Sequence, residues 1–159
     1  RPANVDELRT LKQIVDALSE AAGSVPVVFP VHPRTREAMA RNGLSPSSGL
    51  KLIEPLGYLD FRCLVRHAEM VVTGSGGVQE ETTYLQVPRL TVRPNTERPI
   101  TVTQGTNRLV AAETAPLVEA IDATLARVDR EPVYPDAEPP ELWDGRAAAR
   151  IASVIGSLA

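Results

Sequence analysis

The residues best suited to chemistry lie in one short run, Thr73-Gly74-Ser75-Gly76-Gly77-Val78-Gln79-Glu80-Glu81, directly behind the apolar stretch EMVV. A strand that hands over to a helix here leaves the N–H groups of Ser75, Gly76 and Gly77 without intrahelical acceptors. With the positive end of the helix dipole they suit an anion. Glycine lets the backbone approach a diphosphate closely. Glu80 and Glu81 follow one turn later, where a carboxylate can accept from a ribose diol while phosphates occupy the amides. The same glycines suit a plain strand-to-helix turn, so the pattern alone leaves both readings open. It is not a Walker loop, because no Gly-Lys-Ser/Thr follows, and the full GxGxxG spacing is missing.

A second cluster, RPNTERPITVTQGTNRLV, follows the run PRLTV and carries Arg93, Thr96, Glu97 and Arg98. A planar guanidinium at a strand's carboxyl end suits bidentate contact with phosphate or carboxylate. Glu97 beside Arg98 also fits a solvated helix start. His32 follows the run VVFPV, where a neutral histidine bonded to backbone is the plain reading. His67 ends a helical run and suits a cation at the helix carboxyl end.

Composition narrows the classes. The 159 residues, 43% hydrophobic and 23% charged, suit one domain with a single core. No apolar run approaches the ~20 residues of a membrane span, and the start RPANVDELRT lacks a signal-peptide core. A cytoplasmic, membrane-free protein is expected. A net charge of −3 with scattered basic residues argues against nucleic acid as a partner. The lone Cys63, with only His32 and His67 beside it, offers neither an intrachain disulfide nor zinc-type spacing, so no metal is expected.

The elements that position these residues alternate along the chain. Leu8, Leu11, Ile14, Val15 and Leu18 recur at helical spacing over 3–23, with Asn4 and Glu7 as a capping box and Gly23 as a stop. A strand over 25–31, buried on both faces, ends at His32-Pro33, and a short helix closes at Gly43. Strand 50–55 leads to a helix over 58–68 with Leu59, Leu64 and Val65 inward and Tyr58 and Phe61 on the core face. Strand 69–74, helix 77–86, strand 88–93, a short irregular helix over 97–105 and an edge strand over 107–111 follow. Two amphipathic helices, capped by Thr114 and Asp144, flank a Pro-rich surface crossover over 130–143. Such alternation predicts an α/β, doubly wound parallel sheet with ligands at the strands' carboxyl ends, which puts both clusters on one edge.

The motifs FPVHPRTREAM, LIEPLGYLDF, GSGGVQEETT, RPNTERPITVTQGTNRLV and LWDGRAAARI, in this order, resemble the carboxyl-terminal half of non-hydrolysing bacterial UDP-N-acetylglucosamine 2-epimerases. The resemblance covers nearly the whole chain. It implies a Rossmann-like domain, one half of a GT-B enzyme that interconverts UDP-GlcNAc and UDP-ManNAc by eliminating and re-adding UDP, without a cofactor. By the same resemblance Ser75, Gly76 and Gly77 hold the diphosphate, Glu81 the ribose, and Arg98 the phosphate and sugar. Phe61 meets the uracil, His32 touches a second, regulatory UDP-GlcNAc, and Glu80 is structural. The family implies a homodimer and a supply role in surface-polysaccharide synthesis.

Two departures from that pattern carry expectations. Relatives read Asp-Ser-Gly-Gly, so Gly74 should leave the turn looser. Family members carry an amino-terminal domain, a strand and a catalytic histidine ahead of the position of Arg1, so residues 1–159 are expected to be a carboxyl-terminal domain lacking its first strand, with no evident catalytic acid and base of its own. A GT-B glycosyltransferase donor domain, a non-catalytic nucleotide-sugar-binding domain and a hydrolysing epimerase are the alternatives.

Overall fold

The computed structural model describes residues 2–128 and 139–158. Helices α1 (Pro2–Val5) and α2 (Leu8–Ala21) lead into strand β1 (Val27–Pro30), α3 (Pro33–Arg41), β2 (Leu50–Ile53) and α4 (Tyr58–Arg66). There follow β3 (Val71–Thr73), α5 (Gly77–Tyr84), β4 (Arg89–Val92), α6 (Ile100–Thr103) and β5 (Asn107–Val110), then α7 (Thr114–Val128) and α8 (Ala147–Ser157). Among the described residues no helix is long and apolar enough to cross a membrane.

Every strand pairing is parallel, as the alternation of elements predicts. The strands divide into two sheets, β1-β2 and β3-β4-β5, rather than one continuous sheet. One apolar cluster nonetheless spans both: Leu50 of β2 joins Leu90, Val92 and Val110 of β4 and β5 beneath Ala17 and Leu18 of α2 and Leu117 and Ile121 of α7. Strand β4 is buried along its whole length, yet only alternate residues feed this core. Leu90 and Val92 face α2 and α7. Arg89, Thr91 and Arg93, two residues apart, belong to the opposite face, where α5 and α6 pack.

Several local expectations are corrected. The first helix is broken at 6–7, and Asn4 does not cap it. Its side-chain amide instead donates to the Val92 carbonyl at 3.1 Å, fastening α1 to the carboxyl end of β4. Glu7 makes no side-chain cap and accepts from the Thr10 hydroxyl at 2.7 Å. Leu8, at the first turn of α2, is 46% exposed, beyond the reach of the core. Leu59 is 79% exposed because it lies six residues before buried Val65, about 120° away around the helix, and Tyr58 is also exposed. Strand β1 is not buried on both faces: Val27 and Phe29 pack on the core while Val28 is half-open to solvent. The Thr114 hydroxyl donates to the Gln13 carbonyl of α2 at 3.2 Å rather than capping α7. Asp144 accepts from the Arg146 amide at 3.0 Å, ahead of α8, and its carboxyl is held below the usual range by hydrogen bonds from Arg150 and that amide. The Pro-rich crossover lies, over 130–138, outside the described residues.

Candidate functional site

Strand β3 ends at Thr73 and α5 begins at Gly77, so the Ser-Gly-Gly run forms a strand-to-helix turn at the strand's carboxyl end. The Ser75 amide is not an orphan donor: it donates to the Thr73 hydroxyl at 3.1 Å. The Gly76 and Gly77 amides make no hydrogen bond among the described residues. Gly76 has an ordinary helical conformation, φ −68° and ψ −49°. A Cβ built on Gly76 or Gly77 would meet nothing within 4 Å. Neither backbone strain nor internal packing requires glycine here; the space beside both residues is open.

The turn is held from the inside by a buried arginine. Arg89, 1% exposed at the start of β4, donates from Nη2 to the Ser75 carbonyl at 2.7 Å. Its pKa is pushed down to about 10, first by burial and then by the neighbouring charge of Arg93. At neutral pH it is still a cation.

The second cluster reaches the same helix through Gln79, which is fully buried on α5. Its Oε1 accepts from the Thr96 hydroxyl at 2.5 Å and from Asn107 Nδ2 at 3.1 Å. Asn107 Nδ2 also donates to the Thr101 hydroxyl at 3.0 Å, and its Oδ1 accepts a short hydrogen bond from Thr91. This network locks the loop between β4 and α6 onto α5, as buried polar groups require for their hydrogen bonds. Gly105 permits the close approach, since a Cβ there would lie 2.6 Å from the Thr101 carbonyl oxygen and from Thr83 Cγ2.

The charged side chains then sort into pairs. Arg93, buried, is bound by the Glu97 carboxylate at 2.7 and 3.0 Å, so Glu97, itself exposed, is its counter-ion. Arg98 Nε lies 2.9 Å from Glu80 Oε1, with both side chains half-exposed at the edge. Glu81 lies 3.8 Å from Arg62 Nη1, and the Arg62 guanidinium sits 5.9 Å from the Tyr58 ring centroid. Phe61, half-buried on α4, is the residue next to Arg62. The structure therefore links the first turns of α5, which follow Ser75, Gly76 and Gly77, to Arg98 through Glu80 and to α4, the helix that carries Phe61, through the approach of Glu81 to Arg62. His32 stands apart at the N-cap of α3, where its Nδ1 accepts from the Arg34 amide at 3.3 Å, and it touches none of the others among the described contacts. His67, at the C-cap of α4, has Nδ1 2.8 Å from the Cys63 carbonyl oxygen.

Arg62, Gln79 and Arg89 were not singled out by sequence reasoning. The alternation Arg89-Leu90-Thr91-Val92-Arg93 was a usable signal, because a strand with polar residues at every second position and burial on both sides must bond them internally.

A single mouth with free amides, a carboxylate and an arginine can take a phosphorylated, hydroxylated ligand. Comparison with known proteins bears on which one. The profile of a family described as UDP-N-acetylglucosamine 2-epimerase matches residues 1–156. The UDP-N-acetylglucosamine 2-epimerase of Methanocaldococcus jannaschii is 40% identical over 131 residues, 79% of this chain and 36% of that relative. The UDP-2,3-diacetamido-2,3-dideoxy-D-glucuronate 2-epimerase of Pseudomonas aeruginosa is 36% identical over 159 residues, 99% of this chain and 43% of the relative. The crystal structure of the Methanocaldococcus jannaschii enzyme in complex with UDP-GlcNAc and UDP superposes with a TM-score of 0.81 at 34% identity, covering 99% of this chain and 43% of that one. The chain thus spans less than half the length of these relatives.

Proposed function

The chain belongs to the UDP-N-acetylglucosamine 2-epimerase family, and on that premise we propose that residues 1–159 are the carboxyl-terminal, UDP-sugar-binding half of a non-hydrolysing GT-B epimerase that interconverts UDP-GlcNAc and UDP-ManNAc. The observation that carries this reading is the pair of glycines at the α5 mouth, whose amides make no hydrogen bond, and whose missing side chains no contact explains, among the described residues.

In this reading the Gly76 and Gly77 amides donate to the diphosphate oxygens, and the helix dipole favours their charge. Elimination leaves UDP with an additional negative charge. Donors already fixed at that position stabilise the leaving group without reorganising, which is the usual source of such catalysis. Glu81 accepts from the ribose hydroxyls, steadied by Arg62, and Phe61 lies beside the uracil. Arg98 exchanges its contact with Glu80 for the phosphate and sugar. His32 belongs to a separate, regulatory position. Groups that move the C2 proton come from outside residues 1–159, in an amino-terminal domain. The division of strands supports that domain order: the doubly wound order leaves one position between β1 and β3, which a strand preceding α1 would fill. The whole protein is then a cytoplasmic homodimer serving surface-polysaccharide synthesis.

A second substrate reading comes from the Pseudomonas aeruginosa relative, whose name specifies a diacetamido glucuronate and which aligns over 99% of this chain. The uridine diphosphate mount is common to both readings; the sugar differs. Calorimetry with UDP, UDP-GlcNAc and the diacetamido glucuronate separates them. The primary reading expects UDP and UDP-GlcNAc to bind, and Glu81→Ala or Arg98→Ala to weaken UDP-GlcNAc binding by about tenfold or more. Undiminished binding in both variants would overturn the assigned roles.

A further inference from the structure

We propose that Arg89 is a positioning residue for nucleotide binding: its buried guanidinium draws the Ser75 carbonyl inward and thereby aims the Gly76 amide outward at the diphosphate. This deepens the diphosphate reading of the turn and rests on it.

The argument starts from peptide geometry. The described chain contains no cis peptide, and in a planar trans peptide the C=O and N–H point in opposite directions. The Ser75 carbonyl and the Gly76 amide belong to one such unit. Arg89 Nη2 holds that carbonyl at 2.7 Å from the core side. The Gly76 N–H must then face away from the core, and it makes no hydrogen bond among the described residues. A peptide followed by two glycines has little steric resistance to rotation, so its orientation depends on what grips its oxygen. The grip is charge-assisted, and it polarises the same peptide so that its N–H becomes a better donor.

Arg89 is also placed to act through its charge. It is 1% exposed, and its Nε and Nη1 make no hydrogen bond among the described residues. The Glu97 carboxylate is bound to Arg93, and no ion pair to Arg89 occurs among the described residues. A buried cation with no carboxylate partner among the described residues is costly to the fold. A residue that costs stability and grips the one carbonyl behind a helix mouth is explained by an anion bound in front of it. Gly74, in the preceding position, has no side chain with which to share the task of pinning this turn.

The test compares UDP and uridine, which differ only in the diphosphate. Dissociation constants are measured by titration for the intact protein and for its Arg89→Met and Arg89→Lys variants. Methionine should weaken UDP by about tenfold or more and leave uridine unchanged, whereas lysine, which keeps the charge with a single ammonium, should fall between methionine and wild type. UDP affinity in Arg89→Met equal to wild type would overturn the proposal. So would parallel loss of UDP and uridine, which would mark a merely structural residue. Should the methionine variant not fold, the lysine variant carries the same comparison: selective weakening of UDP supports the role and an unchanged UDP constant contradicts it. A wild-type protein that binds uridine but gains nothing from the diphosphate would instead sink the reading of the turn itself.

Discussion

Gly76 and Gly77 are the residues on which the site turns, and they make an unusual demand. In the fold they tolerate a side chain: their surroundings are open within 4 Å and Gly76 is already helical. Gly76→Ala should therefore keep or raise stability, by about 0.4–1 kcal/mol through the unfolded chain's reduced entropy, while weakening UDP through the methyl group in the phosphate's path. Chemical denaturation and calorimetry on the same sample check both halves; loss of stability without loss of UDP would contradict the assignment. The strand-to-helix turn that carries these glycines was legible in the sequence because a helix mouth is a local structure written in consecutive residues, whereas the roles given to Glu81 and Arg98 rest on the family resemblance. Arg89 was not legible, since its partner Ser75 lies fourteen residues away and a buried arginine runs against the expectation of an apolar strand. Glu97, read as a solvated start of a helix, is exposed and also binds buried Arg93, a burial that the sequence does not display.

At the scale of elements, α5 is the part that everything else is fastened to. Its mouth presents the amides, its exposed edge carries Glu80 and Glu81, and its buried face sends Gln79 to the loop that holds Arg98. Gln79→Ala strips an acceptor shared by Thr96 and Asn107 and should cost about 3 kcal/mol of unfolding free energy, with the UDP-GlcNAc constant rising as the Arg98 loop loosens. Unchanged stability would show that the network is not structural. The opposite side of the sheet offers the contrast. Leu117→Ala, in the core beneath α2, should cost about 2–5 kcal/mol yet leave the UDP constant of the folded protein unaltered. Element types and their order were readable from periodicity. The first helix's break was not, because the bond from Asn4 to the Val92 carbonyl joins residues far apart in sequence and replaces the local cap that Asn4 and Glu7 spell out.

For the whole molecule, the two parallel sheets share one core but not one hydrogen-bond ladder. A strand supplied from outside residues 1–159 would join them and complete the doubly wound order. Hydrogen exchange at Val71, Val72 and Thr73 should then be slower in a full-length protein than in residues 1–159 alone; equal rates would argue against a strand beside β3. The exposed face of α8, with Ile151, Val154 and Ile155, belongs to the same scale, because no residue of that helix is buried within the described chain. Packing of this kind could not be read from periodicity, which marks an apolar face without saying what covers it.

The account is tested most directly by a crystal structure with uridine diphosphate bound. The phosphate oxygens should lie within hydrogen-bond distance of the Gly76 and Gly77 amides, with the ribose hydroxyls on Glu81. A nucleotide seated elsewhere, or phosphates turned away from those two amides, would contradict it.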